Sequence, residues 1–216
     1  MKRKLTLVAA GLAAGAVVGV VPALATITEV GTTTDTTPPS CPSKCLAVSR
    51  TTGYQAKIGT QRSLMIVPKS GRIVAWSITQ GTPTKKQITY FDQTEGGAPE
   101  AGIAVLKGGK GLEYDLVASS PFVNLQPYFG ETAQFPLNTT IPVTKGEVIA
   151  LTVPTWAPAL AIGFTNTTSW RASRPKSGCN NTTTQTADET VGTTVQYYCL
   201  YQTARLTYSA TLVTTP

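Results

Sequence analysis

The chain has 216 residues, no histidine, four cysteines, and 18 lysines and arginines against 11 acids, a formal charge of +7. Without histidine, Ser-His-Asp and Cys-His activation of a nucleophile and every His-ligated metal centre are excluded. Beyond the N-terminal segment, Lys85-Lys86 is the only adjacent basic pair and "RASRPK" (171–176) the only basic cluster. The basic stripe with interleaved aromatics of a nucleic-acid binder is therefore missing.

Residues 1–25, "MKRKLTLVAAGLAAGAVVGVVPALA", carry a basic start (Lys2, Arg3, Lys4), an apolar run from Leu5 to Val21, and the small-x-small Ala23-Leu24-Ala25. This is the pattern of an export signal with cleavage after Ala25. The apolar run is also nearly long enough to stay in a bilayer as an anchor. No later segment has that length, so no membrane insertion is expected after cleavage. Removing the signal leaves 15 basic against 11 acidic residues, about +4, so a mild affinity for anionic surfaces survives. Residues 26–40, "TITEVGTTTDTTPPS", are dominated by threonine without periodicity and read as a flexible tether. Residues 41–216 then have the size of one domain.

Four cysteines in an exported chain imply two disulfides. Of the three possible pairings, Cys41–Cys45 with Cys179–Cys199 is expected: the first pair is four residues apart, and the second brackets a polar loop. A zinc site is not expected, because there is no second closely spaced pair, and no cofactor is implied.

Helical periodicity is nearly absent along the domain, and short strand-like runs follow one another. In "GRIVAWSITQG" (71–81), Val74, Trp76 and Ile78 are expected to point one way and Ala75, Ser77 and Thr79 the other. Residues 101–120 read as a hairpin turning at "KGGKG" (107–111). "EVIALTVP" (147–154), "ALAIGF" (159–164), "TVQYYCLYQ" (194–202) and "RLTYSATLV" (205–213) complete the set, with Leu206, Tyr208, Ala210 and Leu212 on one face. About ten such strands predict an all-β fold: an antiparallel, jelly-roll-like β-sandwich.

"IPVTKGEVIALTV" (141–153) is similar to the turn-then-strand stretch before a late strand of jelly-roll sandwiches. More broadly, "CPSKC", "RTTGYQAKIG", "GRIVAWSI", "PTWAPALAIGF", "WRASRPKSGC" and "YYCLYQTARLTYSATLV" resemble a group of uncharacterised exported proteins of high-GC Gram-positive bacteria. That resemblance implies compartment and domain limits and carries no activity.

Remaining chemistry is sparse. Ser173-x-x-Lys176 has the letters of a serine–lysine dyad, but Pro175 opposes the helical turn the dyad needs. Glu113 and Asp115 fall on one strand face, ~7 Å apart, and Asp92 with Glu95 sit in a polar loop. Either pair has the makings of a calcium site or of glycosidase carboxylates, against the plainer reading of solvated acids. The aromatics offer more. Trp76 reads as core, whereas Trp156 lies between Pro154 and Pro158, which should keep it out of a central strand. It then either plugs an end of the core or stands on a rigid loop to meet a ligand. Tyr128 and Phe129, in a loop bounded by proline and glycine, and Trp170 join it as candidate ligand-binding residues. The expected role is non-catalytic binding or structural work at or outside the cell surface, with a polysaccharide or cell-wall polymer as partner. The alternative is a carboxylate-dependent glycan hydrolase or lyase.

Overall fold

A computed structural model describes residues 25–180 and 184–214; the expected signal segment, Ala25 apart, lies outside the described residues. The elements in chain order are β1 (Thr26–Val30), β2 (Val48–Lys57), β3 (Gly71–Thr79), helix α1 (Lys85–Thr94), β4 (Glu100–Gly108), β5 (Glu113–Ser119), β6 (Val123–Asn124), β7 (Thr132–Val143), β8 (Val148–Ala157), β9 (Leu160–Ile162), β10 (Ser169–Ala172), β11 (Thr194–Gln196), β12 (Cys199–Gln202), β13 (Ala204–Leu206) and β14 (Tyr208–Thr214). Single 3-10 turns occur at Gln126–Tyr128 and Lys176–Gly178.

Two sheets make an all-β sandwich, and their strand pairs are antiparallel. The smaller has the order β1-β14-β3-β7; the larger runs β11-β5-β4-β8-β2-β10-β12, with β6 beside β4. A short β9–β13 ribbon accompanies them. Between the sheets lie Ile73, Trp76, Ile78, Ile103, Val105, Ile149, Leu151, Ala210 and Leu212, all fully or almost fully buried. Tyr208 ties the layers together: from β14 its hydroxyl donates to the carbonyl of Ile149, at 2.9 Å, on β8.

The larger sheet has to curl. Its edge strands β11 and β12 are joined through Tyr197-Tyr198 alone, and three residue steps span at most ~11 Å. The edges of a flat seven-stranded sheet would lie ~29 Å apart. The result is a half-barrel, in which the Cys179–Cys199 disulfide ties the start of β12 to the turn that follows β10; the second disulfide is Cys41–Cys45. Both pairings are those expected. The "KGGKG" hairpin also forms as expected, with Gly109 N–H bonded to the Glu113 carbonyl across the turn.

Four expectations are corrected. Residues 26–40 belong to the domain. Thr26–Val30 pairs in register with Thr214–Ala210, Val30 is buried, and Arg205 holds both the Asp35 carboxylate (3.4 Å) and the Thr37 carbonyl (2.9 Å). Residues 85–94, part of which reads as polar loop, form α1. No residue of this helix is buried, so it has no apolar stripe to betray it. What starts it is a capping box, in which Thr84 Oγ1 accepts from Gln87 N–H while Gln87 Oε1 accepts from Thr84 N–H. On β3 a bulge at Val74 shifts the alternation, so that Ile73 rather than Val74 joins Trp76 and Ile78 inside. Lastly, β8 is a central strand and continues through Pro154 to Trp156. Pro154 is tolerated because it lies where the pairing with β2 slips, between Thr51↔Val153 and Ser49↔Trp156, so no ladder donor is needed there.

Candidate functional site

The aromatic residues singled out in the sequence do not form a binding strip. Trp156 is completely buried. Its ring stacks on Phe91 of α1 with centroids 4.8 Å apart and touches Phe129 at 5.7 Å. Its indole N–H donates to Asp92 Oδ1 (2.9 Å) and to the Gly97 carbonyl (3.1 Å). It is a core plug under α1, and the ligand-contact reading is withdrawn. Phe129 packs against the core and is half-buried, and Tyr128 sets its edge on Phe135 at 5.1 Å. Trp170 is 6% exposed and stacks on Tyr201 at 4.7 Å.

The acids are mostly engaged. Asp92 holds Trp156, and Glu95 pairs with Arg50 at 3.2 Å. Asp115 accepts from Thr194 and Glu147 from the Thr144 amide. No group of three or more His, Cys, Asp or Glu among the described residues is placed to hold a metal ion. Ser173 Oγ is buried against the Thr52 amide at 3.0 Å, while Lys176 lies over the Tyr198 ring. These two side chains form no dyad.

Asp188 is the acid that sequence reading least anticipated. It lies 6% exposed inside the half-barrel, and its oxygens accept from Thr193 (2.8 Å) and Tyr197 (3.2 Å). Its backbone is clasped by the Thr52 hydroxyl, which in turn donates toward Thr152. Burial pushes the Asp188 carboxyl up from its ordinary range; burial, with Asp188 and Glu100 nearby, does the same to Glu189. Both oxygens of Asp188 are held by hydroxyls of its own segment, and the backbone bonds to Thr52 tie that segment to β2.

At the end of the half-barrel where β2 finishes and β8 and β10 begin, a cavity of about 400 Å³ opens to solvent. Its floor is the Tyr54–Tyr114 pair, with rings 5.5 Å apart and hydroxyls bonded at 2.9 Å. Burial raises the Tyr54 phenol far above its ordinary range, so it stands in the floor as a neutral hydroxyl. Lys57, Arg62 and Arg171 stand around it with the amides Asn166 and Gln202 and the exposed aliphatics Ile66 and Leu200. Among the described residues, no carboxylate lines the cavity.

β-pairing gathers this set from four separate stretches of chain. Arg171 of β10 is opposite Tyr54 of β2 and Leu200 of β12, and Lys57 is opposite Ser169. Of these residues, only Arg171 is marked in the sequence, as part of the "RASRPK" cluster. The structure disperses that cluster: Arg174 turns to the Ser49 carbonyl and Tyr201, and Lys176 to Tyr198. No helix of the described residues is long and apolar enough to cross a membrane. No family model matches the chain, and no curated protein or solved structure matches it either.

Proposed function

We propose that the protein is an exported, non-catalytic binding module whose partner is a polysaccharide or cell-wall polymer, held at the mouth of the half-barrel. The observation that carries this reading is the open cavity itself. It has a floor of paired tyrosine hydroxyls, a rim of amides and cations able to hydrogen-bond to hydroxyl groups, and exposed Leu200 and Ile66 to lie against sugar C–H faces. Its volume falls in the ~300–1,000 Å³ range of small-ligand sites, a fit for a short segment of polymer. Two disulfides suit an oxidising compartment outside the cytoplasm.

The glycan hydrolase or lyase reading is less favoured. The carboxylate-dependent version of that chemistry needs acidic side chains facing the bond to be cleaved, and no described Asp or Glu lines the cavity. The test is retention of the protein on insoluble polysaccharides and purified cell wall, beside a Leu200→Asn/Gln202→Ala variant. Retention of the wild type, loss in the variant with an unchanged melt, and no release of new reducing ends support the reading. Equal retention of both proteins overturns the site, and new reducing ends overturn the non-catalytic role.

A further inference from the structure

We infer that the half-barrel mouth selects an anionic glycopolymer, one whose repeat carries a carboxylate or a phosphodiester; the inference rests on the binding role proposed above. Three cations line one cavity, and none is neutralised. The ion pairs among the described residues are Arg50–Glu95 and Arg205–Asp35, neither of which involves Lys57, Arg62 or Arg171. Like charges gathered in a concave, low-dielectric site repel one another and raise the local potential. That arrangement is relieved when an anion enters.

Arg171 is built for the role. Its Nη1 donates to the carbonyls of Tyr198 (2.8 Å) and Tyr197 (3.3 Å), the two residues that join the edges of the curled sheet. These bonds fix the guanidinium without cancelling its charge, and its other N–H groups remain to face an incoming oxygen. A held guanidinium gives up less entropy when it binds an oxyanion than a free one does. Lys57 and Arg62, at the end of β2 and in the loop beyond it, bring further positive charge to the same cavity. The neutral amides Asn166 and Gln202 then suit the hydroxyls of the same repeat.

The shape argues for a glycopolymer over a nucleic acid. Bases need exposed aromatic faces for stacking, whereas Tyr54 is buried and Tyr114 is packed against it. The exposed apolar groups at the rim are aliphatic.

The test is calorimetric titration of the exported chain with polygalacturonate, with poly(glycerol phosphate), with dextran as neutral control, and with single-stranded DNA. Lys57→Gln/Arg62→Gln is titrated in parallel, with its melt recorded beside the wild type's; Arg62 is exposed and Lys57 half-buried, and neither makes an ion pair among the described residues. The expected result is binding to one or both anionic glycopolymers, weakened roughly tenfold or more in the variant and falling with added salt, with dextran and DNA bound weakly or not at all. Which of the two anionic polymers binds distinguishes carboxylate from phosphodiester. Binding to dextran as tight as to the acidic polymers, and unchanged in the variant, overturns the anionic preference and leaves the polysaccharide role standing. Preferential binding to DNA overturns the glycopolymer assignment. No binding to any of these probes, together with no retention on cell wall, overturns both.

Discussion

A tryptophan between two prolines has two opposite readings in sequence, and the geometry of Trp156 decides for the interior. The side chain has no exposed surface, a stacked partner and two acceptors for its N–H. Trp156→Ala empties that volume and leaves Asp92 and the Gly97 carbonyl without their donor, a loss of about 3–5 kcal/mol. At ~2–4 °C per kcal/mol for a chain of this size, the melt should fall on the order of 10 °C. Trp156→Phe, which keeps one ring but gives up the N–H and part of the indole volume, should cost less than the alanine. Binding at the half-barrel mouth should be unchanged in both. A Trp156→Ala melt equal to wild type would contradict the core assignment.

Asp188 gives the residue scale a pH signature. Its carboxyl is raised in the folded state, so the folded protein holds this proton more tightly than the unfolded chain does. The associated stabilisation is complete below the unfolded value near 3.8 and is lost as pH rises through the higher folded value. Asp188→Asn keeps an acceptor for Thr193 or Tyr197 and has no charge to bury. It should therefore gain stability relative to wild type as pH increases from about 3.5 to 7. Melting curves of both proteins across that range measure the difference, and a difference constant with pH would exclude this role for Asp188.

At the scale of elements, what the sequence revealed follows the strength of each local signal. The hairpin at "KGGKG" had turn glycines between two apolar runs and formed as read, whereas the run 205–213, read as one strand on its alternation, divides at Thr207 into β13, paired with β9, and β14, paired with β3. Helix α1 escaped because it buries no residue, and periodicity is a record of burial; the Thr84-x-x-Gln87 capping box was the mark available. β1 escaped because threonine-rich composition looks like a linker until a partner edge exists. Val30 alone is buried there, and Glu29 accepts from Ser209 and Thr211 across the pair. The cavity was unreadable for another reason: its residues become neighbours only through strand register. β1 covers the β14 edge, so a chain starting after Val30 should expose that edge, melt lower and self-associate at micromolar concentrations. Light scattering against the full chain measures it, and a monodisperse truncation with an unchanged melt would contradict it. Gly53 makes a tighter demand. A Cβ there would sit 2.8 Å from the Arg171 carbonyl and 2.9 Å from the Trp170 ring. Gly53→Ala should therefore push β2 from β10, cost about 1–3 kcal/mol and displace Arg171 from the cavity. Melting and polygalacturonate titration should both register it.

For the whole molecule, the two disulfides have unequal work. Cys41 and Cys45 are four residues apart and restrain one local loop, whereas Cys179 and Cys199 are twenty apart and close the segment that seals the half-barrel. In the chain-entropy view the longer closure stabilises by about 3 kcal/mol and the shorter by about 2. The difference in function should be larger than this difference in stability. Cys199 directly follows Tyr197-Tyr198, whose carbonyls hold Arg171 at the cavity, so loosening that seam should free the guanidinium as well as the fold. Cys179→Ser/Cys199→Ser should lower the melt by roughly 10 °C. It should also weaken binding of the acidic polymer at temperatures well below that melt. Cys41→Ser/Cys45→Ser should lower the melt less and leave binding unchanged, because no residue between those cysteines reaches the cavity. Titration of both double variants at 15 °C separates the effects: equal affinities would mean that the seam holds the fold without positioning Arg171, and the cavity's preference would then have to come from Lys57 and Arg62.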